Sequence, residues 1–456
     1  MLPWFFSLAC MGILVALWSL SSPWASALSR LEIGQALART WLLAALLSCL
    51  IGLCQYFDAA SYFFFMSSSS GAEAYANLRQ RNQFASLTNI GLMAVLWWAA
   101  QTHTELKNRS WTLSLILGTL VLALGNAASS SRTGLLQLGL ICLMTWWWSR
   151  QSSSPPAVLT RRLLLVAVGG YLLASLLLPM LVGQALGGGV FARLQDGGPT
   201  CSSRMVLWTN VLHLIAQKPW LGWGWDELRY AHFITLYDGP RFCEIMGNAH
   251  NLPLHLAVTL GLPASLLLCG GGAWWVRRAK PWQETDATRQ MAWGVLAVIG
   301  LHSMLEYPLW YGPFQMAVGL CLMLLWGRQV KLRSNGVGRV ALLLLAGVSY
   351  AAWDYHRINQ IYLPLEQRSG AYREHTLKKI KSSWLFQNQV RFAELTITPL
   401  TLDNAQRLNA MAHEVLHYSP EARVVEKLIE SARLLGREDE ALFFEQRLRA
   451  AYPKGR

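Results

Sequence analysis

Long apolar runs recur through the first 353 residues of this chain, and most charged residues fall in the gaps between them. An apolar run of about 17–25 residues is long enough to cross the hydrocarbon core of a bilayer as a helix. Only 14% of the residues are charged, whereas soluble domains carry about 25%. The pattern predicts an all-α, polytopic transmembrane helical bundle and excludes an ordinary soluble enzyme.

The apolar runs predict about ten membrane spans. The chain also holds 22 tryptophans, which suit helices that end at a membrane interface. The predicted spans are 4–20, 36–57, 84–100, 111–128, 134–149, 162–182, 251–275, 291–304, 312–326 and 339–353.

Basic residues between the spans predict the orientation. The most basic short loops are 150–162, 277–289 and 328–339, which the positive-inside rule places in the cytoplasm. Alternation leaves residue 1 outside, so either the first run does not cross or a helix precedes it. The net charge of +14 then serves topology and contact with anionic lipid, and no nucleic-acid partner is expected. The predicted outer segments are 58–83, 129–133, a long loop at about 183–250, and everything after residue 354.

The charged residues after 354 predict a second, extramembrane domain. We therefore divide the chain into a transmembrane domain, 1–353, and a C-terminal helical domain, 354–456. Pro420 and Pro453 each end a helical pattern and lie 33 residues apart, close to the tetratricopeptide period of about 34. Gly436 falls where a turn between two helices is expected. An irregular helical bundle explains the same pattern, because only one full unit is visible.

Two of the eight cysteines differ from the rest. Six lie in apolar runs, where cysteine acts as a small hydrophobic residue. Cys201 and Cys243 share the long outer loop, and an oxidising compartment makes a disulfide between them reasonable. The alternative is two unpaired buried thiols. Their spacing fits no zinc motif.

Three arginines lie at or near the outer ends of predicted helices: Arg81, Arg132 and Arg204. Ionisable residues beside membrane spans are candidates for function, because burying them unpaired costs several kcal/mol. Guanidinium groups near helix N-termini suit a diphosphate. The alternative is that each side chain reaches the lipid headgroups.

A histidine and a carboxylate are the candidate catalytic groups. His250 lies in the segment Gly-Asn-Ala-His-Asn, where the outer loop returns to the membrane, and an imidazole can take a proton from a hydroxyl near neutral pH. The alternative is a helix cap with a merely polar histidine. Glu306 and Tyr307 lie in the outer turn between two spans. His255 and His302 lie deeper and suit hydrogen-bonded structural roles.

Several classes of function lack their sequence features. The chain has no Gly-x-x-x-x-Gly-Lys-Ser/Thr loop for a nucleotide-driven pump, and no outer Asp-x-Asp pair that would hold a divalent metal against a diphosphate. We therefore expect no metal and no cofactor, with arginines neutralising the phosphate. A solute transporter is the alternative from another class, but it needs paired broken helices at the bilayer midplane.

Five motifs in order resemble the O-antigen ligase and polymerase superfamily, and most closely the bacterial protein O-oligosaccharyltransferases that glycosylate pilins. The motifs are N-L-R-Q-R-N-Q-F-A at 77–85, S-S-R-T-G at 130–134, K-P-W-L-G-W-G-W at 218–225, N-A-H-N at 248–251 and H-S-M-L-E-Y-P-L-W-Y at 302–311. The resemblance covers about 36–326. The chain departs from the family on its N-terminal side, where relatives have additional spans.

The resemblance implies an enzyme of the bacterial inner membrane whose active site faces the periplasm. Such enzymes transfer a preassembled oligosaccharide from undecaprenyl diphosphate to a Ser or Thr hydroxyl of a periplasmic protein, without a metal. It assigns His250 and Tyr307 to catalysis. Glu306 is a third catalytic candidate, and Tyr307 and Glu306 would orient His250 or the acceptor. The resemblance assigns Arg132 and Arg204 to the donor diphosphate. Substrate binding by Arg81 and its neighbours Asn82 and Gln83 is also expected. Ligation to lipid A core and polymerisation of O-antigen remain alternatives with the same donor chemistry.

Overall fold

The computed structural model describes residues 29–63, 66–67, 73–101, 109–150, 154–183, 189–190, 200–326 and 334–453. All regular elements in these ranges are helices, so the predicted all-α class is confirmed for this part of the chain. The predicted span 4–20 lies outside the described residues, as does much of the basic loop 328–339.

Twelve α-helices are described between residues 30 and 359. They are α1 Arg30–Tyr56, α2 Arg81–Gln101, α3 Arg109–Ala128, α4 Arg132–Arg150, α5 Pro155–Leu181, α6 Arg204–Gln217, α7 Leu228–Ile234, α8 Leu252–Leu260, α9 Leu262–Ala279, α10 Ala287–Leu305, α11 Gly312–Leu325 and α12 Ser334–Asn359. Three described helices, Arg30–Tyr56, Arg109–Ala128 and Pro156–Leu181, are long and apolar enough to cross a membrane. The count of about ten spans therefore stays a prediction.

Helix α2 forms the centre of the bundle and packs against α1, α3, α4 and α10. Most of its residues are buried, and Phe84 is fully enclosed. The outer face of α1 instead exposes Leu43, Leu47 and Leu50. An apolar outer face around a packed centre suits a bundle surrounded by lipid.

The prediction of one continuous span over 251–275 is wrong, because helices α8 and α9 meet at a break at Gly261. The backbone of Gly261 has φ +88°, and a Cβ there would lie 2.1 Å from the carbonyl oxygen of Trp220. The K-P-W-L-G-W-G-W segment closes the break: Trp223 N–H donates to the Val258 carbonyl at 2.8 Å, and Leu262 N–H donates to the Pro219 carbonyl at 2.8 Å. Sequence hydropathy cannot show this contact, because both segments are apolar.

The bundle has two distinct ends. At one end Trp148 Nε1, near the C-terminus of α4, donates to the carbonyl of Pro281 at 2.8 Å, and Pro281 lies in one of the loops that the basic residues place in the cytoplasm. At the other end the segments around Asn82, Ser131 and Glu306 contact one another. This grouping agrees with the alternation of loops that the sequence predicts.

The tail continues in five helices: α13 Thr376–Ile380, α14 Gln387–Ile397, α15 Ala405–Tyr418, α16 Ala422–Leu434 and α17 Glu438–Ala451. Pro420 precedes α16, Pro453 follows α17, and Gly436, with φ +70°, lies in the turn between them. One helical pair thus lies between the two prolines. The tetratricopeptide interpretation stays a prediction. The domain boundary at 354 also stays a prediction, and α12 runs past it to Asn359.

The long outer loop and the tail pack against each other. Phe233 of α7 lies in the tail's hydrophobic core, and Arg447 Nε donates to the Ile234 carbonyl at 2.9 Å. The Tyr230 ring stacks on His417 with centroids 3.9 Å apart. The loop and the tail therefore lie on the same side of the bundle.

Candidate functional site

The carboxylate of Glu306 joins three segments that are far apart in sequence. Its Oε2 accepts a hydrogen bond from His250 Nδ1 at 2.6 Å, and its Oε1 accepts one from Arg204 at 2.5 Å. The Glu306 side chain is only 13% exposed. Low exposure limits screening by water, so both charge-assisted contacts are strong.

Local sequence explains where Glu306 lies. Helix α10 ends at Leu305, and the Glu306 N–H donates to the His302 carbonyl at 2.8 Å. Pro308 cannot continue an α-helix from the preceding residues, and it instead begins a 3₁₀ turn to Trp310. The turn places the Glu306 side chain beside the segment that carries His250, at the end of the long loop.

His250 is held in an unusual backbone conformation. Its φ of +51° lies in the left-handed region, which costs a residue other than glycine about 1–2 kcal/mol. The Asn248 side chain accepts from the His250 N–H at 2.9 Å. Asn251 caps α8 by accepting from Leu254 N–H, and its amide donates to the Met304 carbonyl at 3.1 Å. The capping alternative is therefore correct for Asn251, while His250 makes a separate contact with Glu306.

Arg204 is the first residue of α6. Ser203 caps this helix by accepting from the Val206 N–H at 3.3 Å. Just before α6, Cys201 is disulfide-bonded to Cys243. This bond connects the start of α6 to the loop segment that leads to His250. The Arg204 guanidinium contacts Glu306. The Arg204 side chain is also 39% exposed, so a ligand in solution can reach it.

Tyr307 packs edge-on against His250, with ring centroids 4.8 Å apart. Its ring stacks on Tyr311 with centroids at 5.8 Å. Burial raises the pKa of Tyr307 to about 12, and contact with Tyr311 adds to the effect. The phenol is therefore neutral at physiological pH, and its contact with His250 is a packing contact.

Glu306 is ionised despite its burial. Burial alone raises the pKa of this carboxyl, but the hydrogen bond from His250 and the charge of Arg204 outweigh burial and lower the pKa below its ordinary value. An ionised carboxylate only accepts hydrogen bonds, so His250 Nδ1 must carry a proton. The Nε2 atom of a neutral His250 is then free to accept one.

Asn82 connects this carboxylate to the turn that carries Arg132. Its amide nitrogen donates to Glu306 Oε1 at 3.4 Å, and its amide oxygen accepts from Ser131 Oγ at 2.6 Å. Ser131 Oγ also accepts from the Gly134 N–H at 3.0 Å. Arg132 is exposed and is the first residue of α4. Sequence reasoning missed Ser131, although it lies in the S-S-R-T-G motif.

Two other predicted substrate-binding residues lie outside these contacts. Arg81 pairs with Glu73 at 3.1 Å, and Gln83 is almost completely buried in α2. Their roles stay predictions. His302 is buried, and its Nδ1 lies 2.8 Å from Ser86 Oγ, as expected of a structural histidine. In the part of the chain that the structure describes, no three or more His, Cys, Asp or Glu residues group as a metal site.

Three protein-family models match parts of this chain, and the matched parts include the residues of this site. Residues 116–269 match the family described as O-Antigen ligase. Residues 290–456 match "Virulence factor membrane-bound polymerase, C-terminal", and residues 74–99 match "Protein glycosylation ligase". The chain resembles the O-antigen ligase superfamily. The three matched regions together include the segments of His250, Glu306, Arg204 and Asn82, as the five motifs predict.

Curated relatives agree with the O-antigen ligase resemblance. The chain is 25% identical over 286 residues to a ComP-specific O-oligosaccharyltransferase of Acinetobacter baylyi, which covers 62% of this chain and 50% of the relative. It is also 25% identical over 287 residues to a General O-oligosaccharyltransferase of the same organism, covering 61% and 48%. The chain thus spans about half the length of these relatives. No solved structure matches it significantly.

The matches are to glycosyltransferase-type enzymes of membranes. Together with the apolar helices, these matches make the chain similar to multi-pass membrane proteins of the O-antigen ligase family. This agrees with the class that the apolar runs predict.

Proposed function

We propose that this protein transfers a preassembled oligosaccharide from undecaprenyl diphosphate to a Ser or Thr hydroxyl of a periplasmic protein such as a pilin. The single observation that carries the proposal is the Glu306 carboxylate, which holds a candidate base, His250, and a candidate phosphate ligand, Arg204, on its two oxygens. A structural salt bridge alone does not require a histidine in a strained turn beside it.

The donor diphosphate is assigned to Arg204 and Arg132. Both begin helices, so the backbone N–H groups of the first turn add to their positive charge. A guanidinium donates two parallel hydrogen bonds to phosphate oxygens. Arg81 would serve the same donor from the adjacent segment.

The transfer step uses His250 as its base. The acceptor hydroxyl oxygen attacks the anomeric carbon of the donor sugar, and its proton passes to His250 Nε2. The bond between that carbon and the diphosphate oxygen breaks, and the electron pair leaves with the diphosphate. Glu306 stabilises the imidazolium that forms, and the arginines stabilise the leaving group. The displacement inverts the anomeric centre.

A protein acceptor is favoured over a lipid one by the names of the relatives and by the match of residues 74–99 to a protein glycosylation ligase family. The match of residues 290–456 to a polymerase family supports O-antigen polymerisation as the second candidate. Lipid A core ligation uses the same donor. The site is proposed to face the periplasm from the inner membrane, with the tail domain on the same side.

A transfer experiment in cells separates these acceptors. A bacterium that makes one defined lipid-linked oligosaccharide would express this protein with either a pilin-like acceptor or a lipid A core acceptor. Glycan mass on a pilin serine or threonine is the expected result. Mass on lipid A core alone would overturn the protein acceptor, and elongated lipid-linked glycan without either product would favour polymerisation.

A further inference from the structure

One carboxylate binds two hydrogen-bond donors at this site, the imidazole of His250 and the guanidinium of Arg204. Glu306 binds His250 through one oxygen and Arg204 through the other, at 2.6 Å and 2.5 Å. Both pairs are charge-assisted and partly removed from water. In the donor-free protein the Arg204 charge is therefore already neutralised by the carboxylate.

This neutralisation conflicts with binding a diphosphate. An anion gains little from a guanidinium whose charge a carboxylate 2.5 Å away already compensates. Arg204 is 39% exposed whereas Glu306 is 13% exposed, so an incoming anion reaches the guanidinium but not the carboxylate. The two anions must compete for Arg204.

We propose that the donor diphosphate takes Arg204 from Glu306, so that donor binding leaves the carboxylate to His250 and Asn82. This inference rests on the proposed function, since it assumes that Arg204 binds the donor. Glu306 is thereby a positioning residue that couples the donor site to the base. Without donor, part of the carboxylate charge is compensated by Arg204; with donor, its full charge stabilises the imidazolium that transfer produces.

Asn82 makes the exchange possible without moving Glu306. Its amide nitrogen already lies 3.4 Å from Oε1, the oxygen that Arg204 would leave. Its amide oxygen is fixed by Ser131 Oγ at 2.6 Å. When Arg204 departs, Asn82 becomes the hydrogen-bond donor to Oε1, and Oε2 keeps its contact with His250. Loss of Arg204 therefore does not leave a buried carboxylate oxygen unsatisfied.

Other charged and titratable groups around His250 do not replace Arg204 in this role. The neutral phenol of Tyr307 contacts the ring face, with Tyr311 behind it, and His255 follows one turn into α8. His302 lies behind Glu306 and binds Ser86. Among the described contacts of the Glu306 carboxylate, Arg204 is the charged group that an outside ligand reaches.

A double-mutant cycle with undecaprenyl diphosphate, which lacks the glycan, tests the exchange. Binding to purified protein in lipid nanodiscs would be measured for wild type, Glu306→Gln, Arg204→Gln and the double variant. Competition predicts that Glu306→Gln binds roughly five- to tenfold more tightly than wild type, and that this gain disappears in the Arg204→Gln background. Equal tightening in both backgrounds would mean simple charge repulsion and would overturn the exchange. Unchanged or weaker binding by Glu306→Gln would also overturn it.

Glu306→Asp provides the matched variant. It keeps the negative charge but withdraws it by one methylene, so competition by contact predicts tighter binding while charge repulsion predicts none. It also serves if Glu306→Gln does not fold. Glycan transfer, measured on the same proteins, separates the two proposals. If the wild type transfers glycan but Glu306→Gln binds no more tightly, the exchange is overturned and the proposed reaction stands. If Glu306→Gln binds more tightly but the wild type transfers no glycan, the exchange is supported and the proposed reaction is wrong.

Discussion

A single side chain, His250, combines a strained backbone with a fixed hydrogen bond. Its left-handed φ is maintained by Asn248 and by the cap at Asn251, and its Nδ1 is held by Glu306. Strain of this kind persists only where the surroundings over-determine it, and it is frequent at functional sites. The consequence is that Nε2, the atom proposed to accept the proton, has a defined direction.

Two changes at Tyr307 separate packing from chemistry. The neutral phenol contacts His250 through its ring, so Tyr307→Phe should keep most of the transfer rate, whereas Tyr307→Ala should lose most of it because the imidazole is no longer held in place. The measurement is the initial rate of glycan transfer at equal protein level. Equal loss in both variants would assign the role to the hydroxyl instead.

Sequence reasoning selects His250, Glu306 and Arg204 as candidates because each is a polar residue at a predicted membrane boundary, and the structure brings these three side chains into contact. It does not reveal the link from Ser131 through Asn82 to Glu306. Those residues lie in different segments, and only the packing of α2 against α4 and α10 brings them together. The left-handed turn at His250 was also not predicted, since histidine does not mark such a turn as glycine does.

At the scale of elements, the break between α8 and α9 positions the loop that carries His250. The 218–225 segment lies across this break, and its backbone hydrogen bonds go to the carbonyls that α8 leaves free at its C-terminus. The apolar run over 251–275 hides the break from hydropathy, although Gly261 followed by Leu262 and Pro263 is a helix-breaking sequence. Glycine at 261 is required both by its φ and by the Trp220 carbonyl.

Two glycine-to-alanine changes in this region should have opposite results. Gly261→Ala adds backbone strain of about 1–3 kcal/mol and a collision with backbone atoms that costs about 1–3 kcal/mol more. Gly271→Ala lies in α9 with no atom within 4 Å of the new Cβ, so it should be neutral or slightly stabilising. Thermal unfolding in detergent checks both. Equal melting temperatures would contradict the packing of Trp220 on Gly261.

The buried His232 of α7 predicts a pH dependence of the outer loop. Burial and the Arg241 charge lower its pKa from 6.5 to about 3, and its ring nitrogens lie 2.9 Å from Tyr237 Oη and 3.1 Å from the Phe242 carbonyl. Between about pH 3 and pH 6.5 the unfolded chain binds a proton at His232 that the folded chain does not bind. The contribution of His232 to stability is therefore complete above about pH 6.5 and is lost as the pH falls towards about 3.

The variant His232→Gln should remove this part of the pH dependence. Melting temperatures would be compared between pH 7 and pH 4 for wild type, His232→Gln and a control, His213→Gln, whose side chain is exposed in α6. A smaller drop in His232→Gln than in the control is expected. Identical drops in all three would show that His232 is not the group responsible.

At the scale of the whole molecule, α7 joins the outer loop to the tail. Its Phe233 belongs to the core of α14 to α17, while Arg229 of the same helix lies against Gly247, just before the Asn248 turn. The tail therefore supports the loop that carries His250. The sequence predicted that loop and tail share a side, but not that they pack together, because a pattern of hydropathy does not encode which surfaces meet.

Weakening the packing between α7 and the tail should reduce the rate of glycan transfer without unfolding the tail. In Tyr230→Ala the stack on His417 is lost, so limited proteolysis should cut the outer loop faster and the transfer rate should fall. Arg449→Ala is the control, because Arg449 forms its ion pair with Glu445 on its own helix. Faster cleavage with an unchanged transfer rate would show that the tail does not support the site.

His250 is proposed to take the acceptor proton in glycan transfer from a lipid diphosphate. The most direct measurement is the transfer rate of His250→Ala, with purified donor and acceptor, at matched protein level and melting temperature. The control is His356→Ala, an exposed histidine of α12. A loss of about 10²–10³ in rate is expected for His250→Ala, and little change for His356→Ala. Normal transfer by folded His250→Ala protein would contradict this role of His250.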